Sequence, residues 1–170
     1  MQNIKELLPD HRTAIVEIIN DAANAYKGVI PDDRWKEPYM SAKELADEIR
    51  AGVRFYGYFE DGFLLGTAGI QNVGRFDLIR HCYVRTSYQR RGIGSTLLQY
   101  LLSFARTSLI LVGTWEDATW AVEFYERHGF ELVSREEKNQ LLQEYWDIPA
   151  RQIETSVVLK RKAYKSPSQN

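Results

Sequence analysis

The chain has 170 residues, 44% hydrophobic and 26% charged, with a formal net charge of −1 at pH 7. This is a globular composition with enough apolar material for one core, which excludes a disordered chain and any need for a disulfide or metal staple. The near-neutral balance argues against a dedicated nucleic-acid or anionic-membrane surface. One cysteine, Cys82, and three scattered histidines exclude an intrachain disulfide and zinc-type ligand spacing, so no metal is expected.

Met1 to Asp10 carries Lys5 and Glu6 and no continuous apolar run, so no signal peptide is expected. No segment approaches membrane-spanning length, and the expected location is the cytoplasm. Ile4, Leu7 and Leu8 suggest a first strand; Ile15, Ile18, Ile19, Ala22 and Tyr26 recur at helical spacing up to Gly28. A loop or short helix over Pro31–Met40 carries Asp32, Asp33, Arg34, Trp35 and Tyr39. Ser41 followed by Glu44 is a capping-box signature opening a helix to Arg50.

Val53–Phe59, Phe63–Ile70 and Phe76–Val84 read as an antiparallel meander, turned at Glu60-Asp61-Gly62 and Asn72–Gly74. Gly92–Arg106 is helical. Leu109–Val112 is a short apolar run of the kind that suits a buried parallel strand. Ala118–His128 is helical up to Gly129, Phe130–Val133 a strand, Glu136–Trp146 a helix and Thr155–Leu159 a last strand, open to an edge position and to pairing between chains. A meander followed by βαβ crossovers predicts one α/β domain over 1–165, a mixed sheet of roughly seven strands flanked by helices, with a polar tail at 166–170.

The stretch Tyr83-Val-Arg-Thr-Ser-Tyr-Gln-Arg-Arg-Gly-Ile-Gly-Ser-Thr runs from strand through loop to helix, with Gly92 and Gly94 at the helix entrance. Small residues there admit a ligand close to the backbone, and the unpaired N–H groups of the first turn make an anion site. The P-loop lysine is missing, and the third glycine of a dinucleotide fingerprint is replaced by Leu97. Gln89-x-x-Gly92-x-Gly94 instead resembles the pyrophosphate-binding signature of the GNAT acetyltransferases. Ala121-Val-Glu-Phe124-Tyr125-Glu-Arg-His-Gly129-Phe130 resembles that family's second signature, one helix and one strand downstream.

The resemblance implies a GNAT fold, acetyl-CoA as cosubstrate, no metal, and direct transfer of an acetyl group to a primary amine in a ternary complex. The strand His81–Arg85 would splay from its parallel neighbour. Backbone N–H groups of Cys82, Tyr83 and Val84 would then hold the pantetheine arm and polarise the thioester carbonyl. Gln89 and the N–H groups of Arg90, Arg91, Gly92, Ile93, Gly94 and Ser95 would take the pyrophosphate. Tyr125 matches the family's proton donor to the departing thiolate; the alternative is a core aromatic. Where the family often has asparagine this chain has Ala118, so either Thr119 or Asp117 substitutes or that contact is absent.

The family's frequent base position, early in the fourth strand, is Leu78. His81 is the first candidate for general base, histidine being the side chain that ordinarily titrates near neutrality, followed by Glu116, Asp117 and Asp77. An ordinary half-buried strand histidine is the competing role. Trp35, Tyr39, Arg80, Trp115 and Glu116 are candidates for the acceptor side. Arg80, set in the apolar alternation Phe76, Leu78, Cys82, Val84, would clamp a substrate carboxylate or pair with an acidic residue. The partner is a small-molecule or peptide amine, with no nucleic acid and no membrane, acting as monomer or homodimer. A noncatalytic acyl-CoA-binding module and an enzyme for another acyl-CoA, such as succinyl or propionyl, remain open alternatives.

Overall fold

The structure, a computed structural model, describes residues 3–164, so the tail expected at 166–170 lies outside the described residues. Strand β1 (Ile4–Glu6) leads through a short turn into helix α1 (Arg12–Ala23), which buries Ile15, Ile18, Ile19 and Ala22 at the helical spacing the sequence showed. Helix α2 (Ala42–Arg50) opens on the expected capping box. The Glu44 N–H donates to Ser41 Oγ at 3.1 Å, and the Ser41 N–H donates to the Glu44 carboxylate at 2.8 Å.

The meander is β2 (Arg54–Glu60), β3 (Phe63–Asn72) and β4 (Asp77–Val84). There follow α3 (Ile93–Leu102), β5 (Leu109–Trp115), α4 (Thr119–Arg127), β6 (Glu131–Leu132) and α5 (Arg135–Tyr145). A one-turn helix α6 (Ala150–Glu154), absent from the sequence reading, precedes β7 (Ser156–Lys162), which runs three residues past the expected end at Leu159.

The seven strands form one sheet in the order β1-β2-β3-β4-β5-β7-β6. Every neighbouring pair is antiparallel except β4 and β5, which the α3 crossover joins in parallel. The last strand therefore lies inside the sheet, between β5 and β6, rather than at an edge. Leu111↔Lys160 and Leu132↔Leu159 register it on both sides, so the expectation of a free β7 edge is corrected. Helices α3 and α4 pack one face, around Leu97, Leu98, Leu101, Tyr125 and Phe130. Helices α1, α2 and α5 cover the other, through Ile15, Ile19 and Leu45 and, further along, Leu141 and Leu142.

Two irregularities in β4 open the sheet. The parallel ladder with β5 runs only from Asp77↔Ile110 to Ile79↔Val112. Beyond it β4 pairs only with β3 and β5 only with β7, so their facing edges are left without a strand partner. Opposite β3, the register jumps from Gly69↔Arg80 to Thr67↔Tyr83, which makes a bulge at His81 and Cys82. His81 takes a left-handed backbone there, with φ +53°. A bulge bends its strand and switches the facing of every later residue. Leu78 packs on the α5 face, whereas Cys82 and Val84 pack on the α3/α4 face. The single apolar alternation expected through Phe76, Leu78, Cys82 and Val84 is thus broken at Arg80.

Candidate active site

The gap between β4 and β5 has the entrance of α3 beside it. Gly92 caps that helix with φ +81°, a conformation that costs a residue with a Cβ about 1–2 kcal/mol. No side chain caps the helix, so the first-turn N–H groups stay available. Ile93 turns its side chain into the core and leaves only its backbone to the site. A Cβ on Gly94 would meet Phe124 and Val84 no closer than 3.6 Å, so protein packing does not require glycine there. A ligand lying against the backbone would. The Gln89 amide donates to the Val84 carbonyl at 3.2 Å and holds the loop back against the strand. Arg90 is exposed and takes φ +63°. Arg91 spends its guanidinium on both Glu60 oxygens at 2.9 Å.

Tyr125 reaches the gap from α4. It is 7% exposed, and burial pushes its pKa well above the ordinary value, with the Cys82 thiol and the Tyr26 phenol adding to the shift. Tyr26 belongs to the opposite face, where it packs with Ala23, Trp115 and Tyr83. Cys82, on the β4 side, is pushed up by burial to about 12.

Aromatic side chains crowd the α1/α2 side of the gap. The Tyr26 and Tyr83 hydroxyls lie 3.2 Å apart, and the Trp115 indole N–H donates to the Tyr39 hydroxyl at 2.7 Å. Trp35 stacks on Tyr39 with centroids 5.9 Å apart, and its N–H donates to Glu37 at 3.2 Å. These residues come from the α1–α2 loop, β4 and β5, so the structure brings together Trp35, Tyr39 and Trp115 as the sequence reading grouped them. Just outside lies a recess of ≈ 270 Å³ lined by Asn20, Asp21, Asn24, Trp35, Glu37, Pro38 and Tyr39. Asp33 is tied away from it by Arg151 at 2.9 Å.

The candidate bases separate cleanly. Asp77 is 2% exposed and lies at the far end of β4, on the paired side of the ladder. It accepts from the backbone N–H of Arg106 at 2.6 Å, the N–H of Thr107 at 2.8 Å and the Thr107 hydroxyl at 3.0 Å. It anchors the turn before β5, on the paired side of the ladder away from the gap. Glu116 and Asp117 are exposed just beyond β5, Thr119 is exposed at the head of α4, and Ala118 is fully buried.

His81 sits in the bulge with its Nε2 against Glu48 Oε2, its ring near Phe55 at 6.0 Å and Tyr83 at 6.3 Å. Arg80 has its structural partners: Glu48 at 3.5 Å and Gln71 at 3.1 Å. Glu48 escaped the sequence reading. Its signal was a carboxylate at helical spacing from Leu45 and beside Ile49, on the buried stripe of α2. Burial alone would raise its pKa; the hydrogen bond from His81 and the charges of His81 and Arg80 outweigh this and hold it below the ordinary value.

Among the described residues no helix is long and apolar enough to cross a membrane. Comparison with known proteins agrees with this architecture. The mycobacterial N-alpha-acetyltransferase RimI (Mycobacterium tuberculosis) is 35% identical over 108 residues, 61% of this chain and 66% of that protein, so the match spans just under two thirds of the relative's length. The fold is shared with PaiA N-acetyltransferase from Thermoplasma acidophilum, solved with coenzyme A. There the TM-score is 0.71 and identity 18%, over 94% of this chain and 97% of that one. The ribosomal-protein-S18-alanine N-acetyltransferase of Escherichia coli shares it at TM-score 0.67 and 16% identity, over 100% and 99% of the two chains. The model of the acetyltransferase (GNAT) family matches residues 14–130, from α1 through the β4–β5 gap to the end of α4, and on this evidence the chain belongs to that family.

Proposed function

We propose that this protein transfers the acetyl group of acetyl-CoA to a primary amine by direct attack in a ternary complex. The observation that carries the reading is the coincidence of two vacant backbone sites. One is the unpaired edges of β4 and β5 beyond Ile79 and Val112; the other is the uncapped N-terminus of α3 at Gly92. An extended pantetheine arm is a suitable partner for a strand edge, and a pyrophosphate for a helix N-terminus. Holding thioester and amine together supplies much of the rate through orientation.

In this reading the amine nitrogen bonds to the thioester carbon, the carbon–sulfur bond breaks, His81 takes the proton lost by the amine, and Tyr125 gives its hydroxyl proton to the thiolate. Solvent then restores both residues. Tyr125 remains a phenol at neutral pH because burial raises its pKa. The same burial pushes the Cys82 thiol up to about 12.

The relatives named for N-terminal and alanine acetylation make peptides with a free α-amine the first acceptors to try. The aromatic wall suits an ammonium group, with Glu37 at its rim already paired to Lys27 at 3.0 Å. The test is thiol release from acetyl-CoA over a panel of such peptides, polyamines and small amines, with Tyr125→Phe beside the wild type. Acceptor-dependent release that falls in the variant supports the reading. Tight acetyl-CoA binding with no release on any amine favours a noncatalytic module, and absence of binding sinks the proposal.

A further inference from the structure

We infer that Glu48 is a positioning residue that holds His81 with its proton on Nε2, leaving Nδ1 free to accept the proton of the attacking amine. The inference rests on His81 being the base of the reaction proposed above.

Glu48 is carried inward by α2, whose Leu45 is fully buried beside it, and its side chain is 23% exposed. Its two oxygens are divided: Oε2 meets His81 Nε2, and Oε1 faces the Arg80 guanidinium at 3.5 Å, with Arg80 further held by Gln71 at 3.1 Å. The carboxylate stays ionised, the hydrogen bond from His81 and the Arg80 charge opposing the effect of burial. An ionised carboxylate only accepts hydrogen bonds, so the nitrogen facing it must carry the proton. In a neutral ring the other nitrogen, Nδ1, then holds the lone pair.

The ring lies among aromatic neighbours, with Phe55 at an interplanar angle of 22° and Tyr83 at 28°. Beneath it the backbone is held at φ +53°, a left-handed conformation that persists in a residue with a Cβ only where the surroundings impose it. A salt bridge that merely pinned α2 to the sheet would need the Arg80 contact alone. It would not require a strained bulge that turns Arg80 and His81 toward the same carboxylate.

The test combines a spectroscopic and a kinetic readout on the full chain. Nitrogen-15 NMR of labelled protein reports the His81 tautomer without any acceptor. The expectation is Nε2–H in the wild type and a gain of the Nδ1–H form in Glu48→Gln. With acetyl-CoA and the peptide that gives most thiol release, Glu48→Gln should lower kcat about 10- to 100-fold, as loss of an oriented base does. The KM for acetyl-CoA should stay within about twofold. The double variant Glu48→Gln/His81→Gln should be no slower than His81→Gln alone, because two residues acting as one unit are not additive. An Nδ1–H wild type, or additive losses, overturns the inference. A kcat that falls in His81→Gln but not in Glu48→Gln removes the positioning role and leaves the base. An unchanged kcat in His81→Gln removes the base reading and the positioning role with it.

Discussion

The indole N–H of Trp115 donates to the hydroxyl of Tyr39 at 2.7 Å, joining the end of β5 to the loop between α1 and α2 across 76 positions of sequence. Trp115 is 6% exposed, so its N–H depends on this one partner. Tyr39→Phe keeps the ring that stacks on Trp35 and removes only the acceptor. The expected cost is about 1–3 kcal/mol for a buried donor left unpaired. The KM for the acceptor should rise while that for acetyl-CoA does not, which thermal melts and steady-state kinetics would show.

Gly92 and Gly94 should separate conformation from ligand contact. Gly92→Ala places a Cβ on a φ of +81° and should cost about 1–2 kcal/mol of stability. Gly94→Ala meets only ordinary contacts with Phe124 and Val84 and gains helix propensity, so the fold should be as stable or about 0.5 kcal/mol more so. Its methyl group nevertheless enters the space above the helix entrance, and acetyl-CoA affinity measured by calorimetry should weaken about tenfold, the equivalent of about 1.4 kcal/mol.

Asp77→Ala distinguishes an anchor from a base. It strips the backbone N–H groups of Arg106 and Thr107 and the Thr107 hydroxyl, all part-buried, of their acceptor and should destabilise the fold by about 3 kcal/mol. Below its lowered melting temperature, kcat per folded molecule should match the wild type. A kcat loss of about a hundredfold without a stability loss would return Asp77 to the list of bases.

Glu48 gives a pH dependence of stability with a definite sign. Its pKa is lowered in the folded state, so its contribution is complete above the ordinary carboxyl value of about 4.3 and is lost as pH falls through the depressed folded value. The wild type should therefore melt above Glu48→Gln at pH 7, with the difference shrinking steadily below about pH 4.5. A difference that grows on acidification would contradict the assignment.

The buried tyrosines carry the opposite sign. Burial raises Tyr83 and Tyr125 well above the ordinary phenol value, with neighbouring phenols and the Cys82 thiol adding to it. Their contribution is complete below about pH 10 and is lost as pH rises further, because the unfolded chain ionises first. Absorbance at the phenolate band should show these groups titrating only together with alkaline unfolding followed by circular dichroism.

Much of this molecule could be read from local pattern. The apolar spacing of α1, the Ser41/Glu44 capping box, the alternation in the meander, and Gly92 and Gly94 at the mouth of α3 are each written within a few neighbouring residues. Local steric and hydrogen-bonding rules act on that scale, so element order, the mixed sheet and the family signatures followed from it. Tyr125 was legible for the same reason, through the Phe124-Tyr125 pair ahead of Gly129-Phe130.

Tertiary structure decided the rest, and in each case the cause is long-range. The bulge at His81 adds one residue to β4, and a period-two reading has no means of locating an extra residue. It turned Cys82 and Val84 to the opposite face from Leu78. The place of β7 between β5 and β6 depends on closing a sheet across the whole chain, where hydrophobic pattern specifies a strand but not its neighbours. Glu48 and His81, 33 positions apart, acquire their relation only when α2 is laid against the sheet. Sequence by itself determined most of the helices and strands and marked Gly92 and Gly94 at the entrance of one helix, because those follow from contacts between near neighbours. Which carboxylate meets which imidazole at the opening in the sheet was set only by packing, because burial and pairing across the fold are properties of no single segment.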